Sequence, residues 1–515
     1  MFRNLLTAMI SVLITGCIST EVPAPPSSGA AGASKFLQLS LSVASGSRSD
    51  AHTPLEPGIN NENRVENICL FFYDDAQGIN AAAETPIKYA QYFDDVAIDL
   101  MFGLPVRIKL ELGQDNPFAL GQHVAVLINM GDLCGKLTTL GEIRDHLEDS
   151  WRQGASIPEY KYFTMSTASD SDGVLGCTIT DTSKYDEAGY APGEENNPFV
   201  VSATVERTAA RIDFAFDNTN LASDGSLVYT VAGADGQDIA RAYFIDMEVY
   251  NRHQQRPFAV KRTTPGLSLS TTARRYAAEE QVGADGRPAN YVIEPNTLTK
   301  GASSDMAALF GDLRASNLSA GIFGAGMKRY TDHAFKLKDS WEMAAILAYA
   351  NESTQAAGLP GVDFAPGIAI KARYVPVAVI GPDGTYSDYS LPEGSDLALY
   401  RVSAGSEAGS TLWFAGEDLA RDYAAQHPAD EAVITVYPGG ICYYTITLRH
   451  HLADDSNPAA PFAMEYAVVR NHVYRAGVRV TGPGNPDPDE DKPVGLNWRI
   501  FVRKWNFRQH TGIIM

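Results

Sequence analysis

The first group in this chain able to do covalent chemistry is the thiol of Cys17, which ends the run Ile14-Thr15-Gly16-Cys17. Ahead of it, Arg3 supplies a positive n-region, and Leu5 to Leu13 an apolar stretch too short to cross a bilayer as a helix. The pattern is that of a bacterial lipoprotein signal. Small residues admit a signal peptidase that cuts between Gly16 and Cys17, and the thiol takes a diacylglycerol. A third acyl chain on the new amine completes a stable anchor, since one chain alone binds only marginally.

The second reactive point is a peptide bond. Arg48-Ser49 follows the alternating run Phe36 to Val43 after a short Ser- and Gly-containing stretch open to a protease. Other polar groups are weaker leads. Arg449-His450-His451 offers two imidazoles, but adjacent side chains on a strand point to opposite faces and do not easily share one ion. Asp170-Ser171-Asp172-Gly173 begins like a calcium loop yet lacks the downstream glutamate at the required spacing, so it reads as a turn. No metal and no cofactor are expected. A Gly-x-Ser-x-Gly elbow, His-Glu-x-x-His, a Walker loop and a Rossmann fingerprint are all missing, which argues against an enzyme. Cys69, Cys134, Cys177 and Cys442 are widely spaced with no Cys-x-x-Cys, so a zinc ribbon is not indicated. Buried, unpaired thiols are the plain reading of these four, and a disulfide stays open.

The elements that carry these groups are mostly strands. The 515 residues carry a formal charge of −21, which argues against nucleic acid as a partner and for a self-repelling soluble surface. Val65 to Tyr73 is a near-continuous apolar strand, Val106 to Leu112 alternates, and His123 to Ile128 reads as buried on both faces. After an acidic, Gly-containing loop over Asp181 to Asn197, a second set follows at Phe199 to Phe216, Ala242 to Tyr250, Ile368 to Ile380, Ala432 to Tyr437 and Ile441 to Leu448. The expectation is two antiparallel β-sandwiches. Helical pattern is scarce, with Ser340 to Ala350 the best candidate and Leu140 to Trp151 another. Near the end, Asn485 to Pro493 carries Asp487, Asp489, Glu490 and Asp491 among prolines and reads as a stiff solvated spacer. Val494 to Met515 resumes as a strand with Leu496, Trp498, Ile500 and Val502 on one face, and its Arg499, Arg503, Lys504 and Arg508 suit an acidic neighbour.

Four stretches together resemble the fimbrillins of the Bacteroidales, the type V pilins, and within them the minor-fimbria (Mfa-type) branch. They are Ser34 to Arg48, Ala203 to Arg211, Tyr349 to Thr354 with the strand Ile368 to Arg373, and Val469 to Tyr474 with the later Gly-Pro-Gly and Trp505. The region Ala278 to Lys338 has no counterpart in the resemblance, and Lys504-Trp505 stands where the family often has Pro-Trp.

The resemblance implies an all-β fold of two transthyretin-like antiparallel sandwiches with few short helices. It divides the chain into a signal peptide at 1–16, a tether and removable first strand at 17–48, sandwiches at 49–202 and 203–484, and a spacer with donor strand at 485–515. It implies an outer-membrane lipoprotein precursor anchored through Cys17, and an arginine-specific protease that cuts between Arg48 and Ser49. Loss of the strand bearing Leu37, Leu39, Leu41 and Val43 leaves a groove. The donor residues Leu496, Trp498, Ile500, Val502 and Trp505 of another copy then fill it, giving a head-to-tail filament with further copies and accessory pilins at the cell surface. On this expectation, deleting Val494 to Met515 leaves both sandwiches folded. A tip adhesin or a lipid-retaining anchor of the same fimbriae is the alternative within the family. Outside it stands a surface glycan-binding sandwich lipoprotein using Trp341 or Trp413. The surface receptor is not specified by the sequence.

Overall fold

The structure is a computed structural model that describes residues 35–43, 55–57, 60–74, 83–100, 106–112, 121–153, 161–167, 177–179, 193–216, 228–253, 256–260, 313–314, 335–336, 343–353, 365–391, 395–403, 411–428, 431–450, 466–488 and 495–506. Cys17, Arg48, Ser49, Trp341, His451 and the Asp170 turn lie outside the described residues.

The first part of the chain supplies a series of strands. They begin with β1 (Lys35–Val43), β2 (Leu55–Pro57), β3 (Arg64–Val65), β4 (Ile68–Tyr73), β5 (Tyr89–Phe93), β6 (Ile98–Asp99) and β7 (Val106–Leu112). β8 (His123–Ile128), β9 (Trp151–Gln153), β10 (Lys161–Phe163), β11 (Met165–Thr167), β12 (Cys177–Thr178) and β13 (Phe199–Arg207) follow. Eight of them form one sheet in the order β5-β4-β8-β11-β13-β1-β7, with β12 beside β8. The sheet folds over on itself. Leu37, Leu39 and Leu41 of β1 and Ile108, Leu110 and Leu112 of β7 share a core with Ile68, Leu70 and Phe72 of β4, and the Gln91 side chain on β5 donates to the Glu111 carbonyl on β7 at 3.2 Å.

The unbroken apolar run of β4 follows from cover on both faces. Its other side chains, Cys69, Phe71 and Tyr73, join Ala125 and Leu127 of β8 in a second, outer cluster. Leu140 and Ile143 of helix α1 (Leu140–Asp145) cap that cluster. α1 starts at a capping box in which the Thr139 hydroxyl accepts the Glu142 N–H and the Glu142 carboxylate accepts the Thr139 N–H. The helix expected over Leu140 to Trp151 is therefore shorter: it ends at His146, whose backbone is extended, and Trp151 already belongs to β9.

The C-terminal unit continues with β14 (Ala209–Phe216), β15 (Val228–Ala232), β16 (Asp238–Tyr250), β17 (Phe335–Lys336), β18 (Met343–Asn351), β19 (Gly367–Pro376), β20 (Ala378–Ile380) and β21 (Tyr386–Asp388). It ends with β22 (Leu399–Ser403), β23 (Thr411–Phe414), helix α2 (Glu417–Gln426), β24 (Val433–Tyr437), β25 (Ile441–Thr447), β26 (His472–Val480) and β27 (Leu496–Asn506). The sheet β17-β18-β14-β26-β27-β2 faces the sheet β15-β16-β19-β25. Phe214, Tyr474 and Ala476 from the first meet Tyr229, Phe244 and Ile370 from the second in one core. Most ladders are antiparallel, but β1 runs parallel to β13, and β14 parallel to β26.

Two expectations give way here. Within Ser340 to Ala350, expected as a helix, the described residues from Met343 onward form a strand instead. Met343 to Asn351 is the strand β18, paired with β14 on one side and β17 on the other. Alanine's helix preference is worth under about 1 kcal/mol per residue, and a ladder on each edge with buried side chains outweighs it. Small side chains also suit the place, since Ala344, Ala345 and Ala350 are all buried. Likewise Ala432 to Tyr437 does not join the second sandwich. β24 pairs with β22 in a separate five-stranded sheet, β21-β20-β23-β22-β24, covered by α2. Trp413 of that sheet is buried, stacked at 5.6 Å from Tyr374 and tilted at 5.4 Å from Tyr437, so it offers no open platform for a sugar.

Candidate functional site: a removable strand and a docked tail

β1 occupies an inner position. It pairs in parallel with β13 from Leu37 opposite Phe199 to Val43 opposite Val205, and antiparallel with β7 from Lys35 opposite Leu112 to Leu41 opposite Val106. Leu37, Leu39 and Leu41 are 0, 0 and 1 % exposed in the inner core. The alternate side carries serines: Ser42 lies 3.1 Å from the Thr204 hydroxyl. Three leucines buried at about 1.5–3 kcal/mol each hold the strand, and every ladder bond adds about 0.5–1.5. Taking β1 away leaves two facing strand edges and an apolar floor. Truncating one of these leucines measures that hold: Leu39→Ala is expected to lower the unfolding free energy by about 2–5 kcal/mol, read as a shifted urea midpoint. A loss under about 1 kcal/mol contradicts a load shared by these side chains.

The tail residues are docked in their own chain. β27 pairs antiparallel with β26 over nine positions, from Leu496 opposite Val480 to Lys504 opposite His472. Leu496 and Ile500 pack against the C-terminal core, Trp498 stands opposite Val478, and Val502 opposite Tyr474. On its far edge β27 meets β2 in parallel, Leu55 opposite Lys504 and Glu56 opposite Trp505. β27 is thus an inner strand. Deleting Val494 to Met515, expected from sequence to leave both sandwiches intact, strips a whole ladder from β26 and uncovers part of the core.

The acidic spacer leaves and returns at one point. The Thr481 and Gly482 N–H groups both donate to the Gly495 carbonyl, at 2.8 and 3.0 Å. Gly495 has φ +69°, and a Cβ on it would run into the Gly482 and Pro483 carbonyl groups. Gly495→Ala is therefore expected to cost about 1–3 kcal/mol and to speed hydrogen exchange along β26 and β27. Unchanged protection in both strands is the result that contradicts this. Of the spacer's acids, Asp487 is paired with Arg314 at 2.8 Å, while Asp489, Glu490 and Asp491 lie outside the described residues.

Between the groove and the tail lies a buried polar junction that sequence reading did not assign. Arg207 at the end of β13 donates to the Glu62 carbonyl at 2.8 Å, to Asn63 Oδ1 at 2.6 Å and to Asn471 Oδ1 at 3.1 Å. Arg211 on β14 grips both Asp213 oxygens at 2.9 Å and Glu62 Oε2 at 2.9 Å. Arg475 reaches Asp213 at 3.3 Å, and the Tyr349 hydroxyl donates to Glu62 at 2.7 Å. Arg470 pairs with Glu352 at 2.6 Å and donates to the Phe258 carbonyl at 2.6 Å. Burial, opposed by Glu62 and reinforced by Arg211, draws the Arg207 guanidinium down to about 9. Burial and the Glu62 charge push the Tyr349 hydroxyl well up. The junction ties residues just before β3, at the β13–β14 turn and before β26 into one body. Its signal was available: arginines at Arg207, Arg211, Arg470 and Arg475 interrupt apolar strand patterns.

His450 is accounted for by protein contacts. Its Nδ1 lies 2.8 Å from the Tyr474 hydroxyl and its ring 5.1 Å from that of His472. Among the described residues, the group spaced to hold a cation is instead Cys69, Asp132 and Cys134.

Residues 435–511, spanning most of β24 and all of β25, β26 and β27, match the family described as major fimbrial subunit protein type IV, fimbrillin, C-terminal. This stretch is similar to the C-terminal region of fimbrillins. The docked tail of this fimbrillin-like chain therefore lies inside the matched region. Solved structures similar to it include a fimbrilin from Porphyromonas gingivalis W83, with 14 % identity, 92 % of this chain and 99 % of that one covered, and a TM-score of 0.36. The tip fimbrial protein Mfa3 from Porphyromonas gingivalis has 10 % identity, covers 92 % and 100 %, and has a TM-score of 0.33. The fimbrial anchor protein Mfa2 from the same organism has 8 % identity, covers 93 % and 100 %, and has a TM-score of 0.23. No curated protein matches this chain.

Proposed function

We propose that this chain is a structural subunit, of the shaft or stalk kind, of an adhesive fimbrium assembled at the outer membrane, and that it polymerises by strand exchange once its N-terminal segment is cut. The observation that carries the reading is β1: an inner strand with its leucines buried, joined to the rest of the chain through a segment that contains Arg48. The fimbrillin C-terminal match at 435–511 supports it. The role is structural, without catalysis or a cofactor.

The precursor is held at the outer membrane by lipid on Cys17, and an arginine-specific protease cuts between Arg48 and Ser49. While β1 stays attached, an incoming strand competes with a tethered one at an effective concentration of about millimolar. The cut removes that competitor, and the vacated groove takes β27 of a second copy by β-strand addition. The eleven residues of β27 span roughly 36 Å at about 3.3 Å each, enough to cover the nine-residue place of β1. Because donor and groove are different surfaces, the contact does not close, and it yields a filament. Leaving β26 and β2 costs β27 two ladders and entering the groove between β13 and β7 restores two, so the ladders roughly cancel and the driving force is the filling of the apolar slot that the cut empties.

The test is the N-terminus of the protein in filaments taken from the cell surface, by mass spectrometry. Ser49 is the expected first residue, and an Arg48→Ala chain is expected to remain monomeric. Filaments whose subunits still begin at lipid-bearing Cys17 overturn the mechanism and favour an anchor.

A further inference from the structure

The thiols of Cys69 and Cys134 lie 3.1 Å apart although 65 residues separate them in sequence. Cys69 is buried on β4 within the outer cluster, and Cys134 is half-buried on the loop between β8 and α1. The loop is pinned to the strand from both directions. Asn129, fully buried, accepts the Glu66 N–H at 2.8 Å and donates to the Arg64 and Phe163 carbonyls at 2.8 Å. Asn67 Oδ1 accepts the Gly131 N–H at 3.1 Å. Met130, Leu133 and Leu137 then sink into the cluster that holds Cys69. A disulfide is about 2.05 Å long, so the sulfurs must close a remaining gap of about 1 Å.

We propose that Cys69 and Cys134 form a disulfide in the folded chain, stapling the loop between β8 and α1 to the middle of the first sheet. The oxidant is a small or protein-borne disulfide. The half-buried Cys134 attacks it as the thiolate and releases one thiol. Cys69, too enclosed to meet the oxidant first, then attacks the mixed disulfide at the Cys134 sulfur and releases the second. Two protein thiols are oxidised and one external disulfide is reduced to two thiols, which take up the two protons. Asp132 completes a set that could hold a cation, all within 4.8 Å. However, its Oδ1 already accepts the Cys134 N–H at 2.9 Å. The hydrogen bond to Cys69, burial and the Asp132 charge also hold the Cys134 thiol well above its ordinary range. Cys134 therefore rests as a neutral thiol, a poor ligand for an ion.

The experiment uses the full native chain incubated with oxidised glutathione, then denatured, alkylated and digested without reduction. The expected product is a Cys69–Cys134 cross-linked peptide, with the chain lighter by about 2 Da than its reduced form. Cys69→Ser is expected to trap glutathione on Cys134, whereas Cys134→Ser leaves Cys69 at least about tenfold slower to react. Full alkylation of both thiols in the incubated wild-type chain overturns the proposal. Protection that appears only with added zinc chloride, with zinc retained through dialysis, also overturns it and assigns the site to a metal.

Discussion

Arg211→Met lowers the unfolding free energy at neutral pH by about 3–5 kcal/mol, the cost of leaving buried carboxylates without their partner. Arg211 is wholly buried and is held by three contacts at 2.9 Å, two to Asp213 and one to Glu62. Methionine fills part of the volume but returns no charge, so Asp213 and Glu62 both lose their shared guanidinium partner, Asp213 keeping Arg475 at 3.3 Å and Glu62 the Tyr349 hydroxyl among its contacts. The double variant Arg211→Met with Asp213→Leu removes one of the stranded charges, and it is expected to recover part of the loss despite carrying one more substitution. Urea midpoints of the full chain measure both. A single-variant loss under about 1 kcal/mol would mean that the network is already solvated and that the junction does not hold the two units.

Leu39→Asp produces oligomers from uncut chain. Leu39 is completely buried at the centre of β1, opposite Ile108 on β7 and Val201 on β13. A carboxylate there has no partner and costs several kcal/mol to bury, comparable to what the strand's leucines contribute. The tethered strand therefore leaves the groove without proteolysis, and the slot opens to a tail from another copy. Lys35→Asp, at the partly exposed start of the same strand, serves as the control and stays monomeric. Native gels and size-exclusion chromatography read the outcome. A folded Leu39→Asp monomer with β1 still protected from hydrogen exchange sinks the exchange mechanism. If the N-terminal unit instead loses its structure, a synthetic Leu496–Asn506 peptide should restore it, and failure of the peptide to bind is equally decisive.

How much of this was legible beforehand differs from element to element. The period-two run over Phe36 to Val43 marked β1 and its three buried leucines, because alternation assigns a strand's inner face before any partner is known. The near-continuous apolar run Val65 to Tyr73 marked a strand as well, of which the structure keeps Ile68 to Tyr73 as β4, buried on both faces. Residues 343–351 misled, since an alanine-rich stretch has no strong period of its own and its state is decided by what pairs with its edges. The expected boundary at 202 falls inside β13, which runs on to Arg207; no turn residue marks the crossing, because β13 and β14 follow one another with only Thr208 between them. The five-stranded sheet of 378–437 was hidden likewise: its turns look like any hairpin turns.

By itself, the sequence determined the all-β class and the strand character of β1 and β27, both properties of local pattern and composition. Only the tertiary structure decided that Arg207, Arg211, Arg470 and Arg475 meet their partners at one junction, that Cys69 and Cys134 touch, and that the tail rests beside β26 of its own chain. Those facts depend on contacts between residues tens to hundreds of positions apart. Such contacts are set by how sheets stack and which edges pair, and local periodicity carries no record of them.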